Sequence, residues 1–131
     1  MDTRIGKHDV RLEPPSLAVM IFHGDITADD MRAIGPWLRR VTEERGPLLI
    51  LSDVGALGDI PADARRALIE RGDWIPCKAL AICRAGFRAR VVLHILIATM
   101  KLVSKGTLGP VRFFEAEPEA RAWLEGLRRG D

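Results

Sequence analysis

The strongest constraint on the fold is the run Leu48-Leu49-Ile50-Leu51, entered through Gly46-Pro47 and left through Ser52-Asp53. Four consecutive apolar residues between turn signals predict a strand buried on both faces. Such a strand belongs in the middle of a parallel sheet covered by helices. Gly55, Gly58 and Pro61 then place a loop at the carboxyl end of that strand, the region where open α/β sheets dock ligands and partners.

The remaining chain reads as strands alternating with helices. Val10 and Leu12 predict a short edge strand stopped by Pro14-Pro15. Leu17 to His23 is apolar on both alternating sets and predicts an interior strand. Thr27 and Asp30 form a capping-box pattern ahead of Met31, Ile34, Leu38 and Val41 at helical spacing. Gly35-Pro36 inside that pattern predicts a kink or a helix in two pieces, because proline removes a backbone donor and crowds the preceding turn. Pro61 opens a second helix that Gly72 closes. Lys78 to Arg84 predicts a strand, Arg88 to Ser104 a third helix, and Val111 to Phe114 a short strand. Pro118 to Arg129 predicts a last amphipathic helix through Ala120, Trp123, Leu124 and Leu127. The predicted order is ββαβαβαβα, an α/β fold built on a largely parallel or mixed sheet.

At 131 residues the chain forms one domain, spanning residues 1–131, able to bury about two-thirds of its unfolded surface. An apolar fraction of 47% with 29% charged residues is that of a soluble globular protein. Cys77 and Cys83 make no disulfide framework and predict a reducing compartment. The N-terminus lacks an apolar segment of the signal-peptide kind. The longest apolar stretch, Val91 to Met100, is broken by His94. It is far short of the roughly 20 residues that span a bilayer. A cytoplasmic location is expected. Charge is distributed unevenly within a formal net of +2. From Trp74 to Phe114 there is no Asp or Glu, against seven bases, which leaves 13 basic and 18 acidic residues elsewhere. A surface of one sign biases the choice of partner rather than the fold.

No catalytic signature is present. His8, His23 and His94 fall on separate elements, and Cys77 and Cys83 lack the spaced companions of a zinc site. Gly55 and Gly58 make neither a P-loop nor a dinucleotide fingerprint, and no GxSxG occurs. No cofactor, metal or catalytic residue is therefore expected. The third helix is more informative. At about 100° per residue, Arg90, His94, Lys101 and Lys105 share one narrow sector. Val91, Val92, Leu93, Ile95, Leu96, Met100, Leu102 and Val103 cover more than half of the circumference, a wider arc than one sheet face requires. A deeply buried helix with a solvated basic stripe, a subunit interface and the wall of an apolar pocket all fit that pattern. Nucleic acid fits poorly, since there is no Tyr and no stacking platform.

The element order, the segment LLILSDVGALGDIPADARRAL and the ending VRFFEAEPEARAWLEGL together resemble the STAS superfamily, and within it the SpoIIAA-like group of small bacterial proteins. The resemblance runs from about Val10 to Leu127. It implies a mixed sheet of four or five strands with about four helices. It also implies a non-enzymatic regulatory module that binds a protein, of which the anti-sigma factor antagonists are the best-known members. Those are switched by phosphorylation of a Ser or Thr in the loop after the central strand. Here the corresponding loop, Val54 to Asp63, has no hydroxyl, and none occurs between Asp53 and Ala98. The expected contact surface combines Ser52, Asp53, Gly55, Gly58 and Asp59 with Arg90, His94, Lys101 and Lys105. Its partner is another protein, or a second copy docked through the third helix. The family is also likened to CRAL-TRIO lipid-carrier domains, which implies an alternative role as carrier or sensor of a small lipophilic or anionic ligand.

Overall fold

A computed structural model of the chain describes residues 2–69, 77–104 and 108–129, with backbone alone at 69, 103 and 104. Its elements are β1 (Asp2–Ile5), β2 (His8–Glu13), β3 (Leu17–Gly24), α1 (Ala28–Arg45), β4 (Leu48–Leu57), α2 (Ala62–Ile69), β5 (Cys77–Cys83), α3 (Phe87–Ser104), β6 (Val111–Phe114) and α4 (Glu117–Arg129). The six strands form one mixed sheet in sequence order. β1, β2 and β3 pair antiparallel, whereas β3, β4, β5 and β6 pair parallel.

That order fixes where the helices lie. Crossovers between parallel strands are right-handed, so strands stepping in one direction put successive crossover helices on the same face. α1, α2 and α3 accordingly share one core with alternate residues of the sheet, including Val10, Met20, Leu48, Val54 and Ile82. The opposite face is sealed by α4, whose Ala120 and Leu124 pack on Val19, Leu49, Leu51, Ala79 and Ala81. β4 contributes to both cores, as its apolar run predicts. A bidentate ion pair ties α4 to the sheet: Arg121 donates to both carboxylate oxygens of Glu13 at 2.8 Å, and its Nε donates to Glu117 at 2.7 Å.

The structure corrects four sequence expectations. The sheet has six strands rather than four or five, because β1 pairs along β2. The sequence of β1, DTRI, leaves its side chains outward and carries one apolar residue, so it has no burial pattern to read. The Val10–Leu12 strand is therefore not at the edge. Of the two alternatives at Gly35-Pro36, the helix in two pieces is overturned, since α1 is one helix through Pro36. Ile34 before the proline and Trp37 and Val41 after it are all buried. Seating both halves offsets a proline cost of about 3 kcal/mol. β4 continues to Leu57, so Ser52, Asp53 and Gly55 are strand residues, not loop residues. Pairing of His23 and Gly24 with Ala56 and Leu57 holds the extension. Gly72, expected to close the second helix, lies outside the described residues.

The amino end of α1 is fixed by a polar cluster. The Thr27 hydroxyl accepts from the Asp30 N–H at 3.1 Å, and Asp30 Oδ2 accepts from the Thr27 N–H at 3.0 Å. The same oxygen accepts a hydrogen bond from His8 Nε2–H at 3.0 Å, while His8 Nδ1 accepts from the His23 N–H at 2.9 Å. His8 is fully buried, edge-on to Phe22. Burial pushes the Asp30 carboxyl up, but the Thr27 N–H, the His8 ring and the Thr27 hydroxyl outweigh it and hold the group below its ordinary range. Replacing Asp30 by Ala removes one half of the cap and strands the buried His8 donor. We expect a loss of about 1–3 kcal/mol at pH 7. A depressed carboxyl stabilises the fold above the unfolded value of about 4, and that contribution disappears as pH falls through the folded value. Urea unfolding of wild type and Asp30→Ala should therefore differ at pH 7 and converge toward pH 3.

Candidate functional site

The nine residues expected to form one contact surface fall in several places. Asp53 and Gly55 lie under the side chain of Arg84, the residue that follows β5. Arg84 NH1 donates to Asp53 Oδ2 at 3.1 Å, and Asp53 Oδ1 accepts from the Gly55 N–H at 2.9 Å. A Cβ at position 55 would meet the Arg84 guanidinium carbon at 2.6 Å, so a larger residue there would push the Arg84 side chain aside. Arg84 itself has a positive φ, in the left-handed region that costs a residue with a Cβ about 1 kcal/mol. The ion pair and the bond from the Arg84 N–H to the Phe114 carbonyl hold it there.

Gly58 and Asp59 are next to this pair in sequence and are pinned to the end of β3. The Gly58 N–H donates to the Gly24 carbonyl at 2.7 Å, and the Asp59 N–H donates to Asp25 Oδ1 at 2.7 Å. Arg88, at the start of α3, reaches Asp59 at 2.9 Å. Between these groups lies an open groove of about 550 Å³, bordered by Asp25, Gly58, Asp59, Arg65, Arg88 and Val92. The groove joins the carboxyl ends of β3 and β4 to the first turns of α3.

α3 divides its apolar residues between two faces. Leu93, Leu96 and Ile97 are buried in the sheet-side core. Phe87, Val91, Ile95 and Leu102 point outward, exposed by 86%, 46%, 65% and 81%. Among the described residues, these are the large apolar side chains that stand exposed, and all four are on this helix. At about 100° per residue they span only a quarter of the helix circumference over about 22 Å of its length. The basic sector beside them is partly committed. Arg90 lies over the Phe113 ring at 5.2 Å and donates to the Ala85 carbonyl, and the His94 ring stacks on the same phenylalanine at 4.7 Å. Lys101 is exposed two turns further on, and Lys105 lies outside the described residues.

Ser52 belongs to none of these. Its side chain enters the wall of a cavity of about 200 Å³ between the sheet and α1, α2 and α3. Among the described residues that line the cavity, Ser52 supplies the one side-chain oxygen and Arg39 the one side-chain nitrogen; the rest of the wall is apolar apart from the Cys77 thiol. Close-packed interiors hold few voids of this size. The bases of α3 do not reach it.

The arrangement offers little chemistry. Burial pushes the Cys77 thiol up to about 12. Burial, with the nearby charges of Asp53 and Glu117, pushes Cys83 up to about 11. Neither is a thiolate nucleophile near neutral pH. Two histidine–carboxylate pairs escaped the sequence reading, His8–Asp30 and His23–Asp9, the latter at 3.1 Å. Nothing in their wide sequence separation signals them. Both nitrogens of His8 are already bonded, so the first pair pins β2 and β3 to α1 and leaves no ring nitrogen for a substrate. Among the described residues no group of three His, Cys, Asp or Glu side chains converges. No described helix is long and apolar enough to cross a membrane.

Comparison with known proteins agrees with the geometry. The SpoIIAA-like family model matches residues 17–125. Among solved structures, an uncharacterized protein of the DUF3478 family with a SpoIIAA-like fold, from Shewanella loihica PV-4, aligns with a TM-score of 0.64 at 18% identity, covering 95% of this chain and 98% of that one. The anti-sigma factor antagonist SpoIIAA in its unphosphorylated form aligns with a TM-score of 0.59 at 12% identity, covering 91% and 98%. At these identities the likeness is one of fold. No curated protein matches the chain.

The Asp53–Arg84 pair is testable by substitution. Arg84→Ala loses the ion pair and keeps the left-handed strain, whereas Arg84→Gly loses the pair and relieves it. Thermal and urea unfolding should place Arg84→Gly about 1 kcal/mol above Arg84→Ala. Equal stabilities would mean that the left-handed conformation is not held in the folded protein.

Proposed function

Because the chain belongs to the SpoIIAA-like family, we propose that it is a non-enzymatic interaction module that docks a protein partner through the outer face of α3. The observation that carries this reading is the exposed line Phe87, Val91, Ile95 and Leu102. A continuous apolar strip rimmed by polar groups marks an interaction surface on a soluble domain. The groove beside Asp59 and Arg88 continues the strip toward the carboxyl ends of the strands, the docking edge of the sheet.

Charge selects the kind of partner. Arg88, paired with Asp59, flanks the strip on one side, with His94 and Lys101 on the other, and the sequence from Trp74 to Phe114 itself holds no acid. Two copies meeting face to face would set like charges against each other. An amphipathic helix with Asp and Glu along its apolar face complements both features. Docking of this kind needs no phosphate. Ser52 is buried, and the sequence from Val54 to Ile97 offers no hydroxyl to modify. The reading is therefore of a constitutive contact and not a phosphorylation switch.

Affinity capture with the intact chain, followed by reconstitution with the purified partner, tests this. Ile95→Glu and Leu102→Glu should each weaken binding at least about tenfold while leaving the circular dichroism and unfolding midpoint near wild type, since both side chains are solvent-facing. Lys101→Glu should weaken binding and flatten its salt dependence. Light scattering that finds a dimer broken by Ile95→Glu would replace the partner with a second copy. Cosedimentation of wild type, but not Ile95→Glu, with phosphatidylserine vesicles would replace it with a lipid surface. Either result overturns the proposal.

A further inference from the structure

We propose that the open edge of β6 takes an extended segment of another protein as an added strand, and that this segment carries Asp or Glu on alternate residues. The inference rests on the backbone of the sheet edge and is independent of what docks on the outside of α3.

β6 ends the sheet and pairs on one side only, with β5. Successive residues of a strand direct their N–H and C=O groups to opposite sides. The Leu80 N–H donates to the Pro110 carbonyl at 2.9 Å, and the Arg84 N–H donates to the Phe114 carbonyl at 3.0 Å. Pro110, Arg112 and Phe114 therefore face β5. Val111 and Phe113 turn their backbone groups outward, where an added strand can bond them. The other edge, β1, is open as well, but its charges are of both signs and its Arg4 is paired with Asp9 at 3.2 Å.

The surroundings of β6 are cationic on both faces of the sheet. On the α3 side, Arg90 lies over the Phe113 ring at 5.2 Å and the His94 ring stacks on it at 4.7 Å. On the α4 side, Arg112 lies over the Phe114 ring at 5.2 Å. Arg112 is exposed, and among the described residues no carboxylate pairs with it. The first acid, Glu115, comes after the strand has ended. A cation on an edge strand works against pairing with a second copy, which would bring the same cations to the junction. It favours a strand whose acid falls beside Arg112, since opposite charges attract across a ladder. Alternation follows from the period of two along a strand. With acids on the Arg112 face, the residues between them lie beside Val111 and Phe113, which are partly buried and suit apolar neighbours.

The test uses the intact protein labelled with 15N. It is titrated with an acetylated peptide of alternating Glu and Val, with its Lys and Val counterpart, and with the Glu and Val peptide N-methylated along its backbone. The expected result is saturable shifts and slowed hydrogen exchange at the Val111 and Phe113 amides with the first peptide, and binding at least about tenfold weaker for the other two. Val111→Pro removes an outward donor and keeps the bond between Leu80 and Pro110, so it should fold and bind at least about tenfold more weakly. Arg112→Glu should transfer the preference to the Lys and Val peptide. Absent or unsaturable shifts, or equal binding of the methylated peptide, overturn strand addition. Equal binding of the Lys and Val peptide to wild type overturns the acidic class, and a folded Val111→Pro that binds like wild type overturns the location. Light scattering that finds a dimer broken by Val111→Pro puts a second copy on the edge and overturns the partner. Ile95→Glu should bind the peptide like wild type, so this reading and the docking at α3 fail separately.

Discussion

The structure depends on β4 being paired in parallel on both sides and buried on both faces. Parallel neighbours demand crossovers, and crossovers of one hand along a strand order that never reverses must accumulate on one face. Three helices therefore share one side of the sheet while α4 alone seals the other. The asymmetry has a steric consequence. α1, α2 and α3 meet over a single twisted surface. They leave a void over the middle of the sheet and turn an apolar strip of α3 to solvent. A doubly wound order would have divided the helices between faces. The cavity and the exposed strip are two outcomes of the same topological choice.

Much of this was legible because burial writes a pattern. β3, β4 and β5 are apolar on both alternating sets, and α4 repeats its apolar residues at i, i+3, i+4 and i+7, so each could be read locally. β1 could not. Its residues are held by backbone pairing with β2 and bury almost nothing, which leaves no trace in side-chain type. The extension of β4 was hidden for the opposite reason. Ser52, Asp53 and Gly55 have the composition of a turn, yet each is in the strand for a tertiary purpose. Ser52 faces the cavity, Asp53 holds Arg84, and Gly55 leaves room for the guanidinium above it. Local propensity lost to contacts with residues far along the chain.

The candidate surface shows the same limit. Spacing along α3 gathered Arg90, His94 and Lys101 correctly into one sector, but could not reveal that Phe113 from β6 lies against the first two. Nor could it split the wide apolar arc into an inner set, Leu93, Leu96 and Ile97, and an outer set, Phe87, Val91, Ile95 and Leu102. A helical wheel gives relative angles; only the sheet beneath supplies the zero. The absence of Ser and Thr between Asp53 and Ala98, by contrast, is a matter of composition and needs no coordinates.

α3 therefore has to be interpreted face by face. Its inner residues wall the cavity and belong to the core, so a change at Leu93 or Leu96 alters packing density and reaches function only through the fold. Its outer residues contribute almost nothing to the core, so a change at Ile95 or Leu102 acts on encounter and docking with the scaffold intact. Arg90 sits between the two regimes: it carries charge at the rim of the strip and also packs on Phe113 and bonds the Ala85 carbonyl. Reversing its charge would remove a rim cation and disturb the seam between α3 and β6 together. Lys101 is on the exposed side of the helix and a full three turns along, so a change there leaves the contact between Arg90 and Phe113 in place.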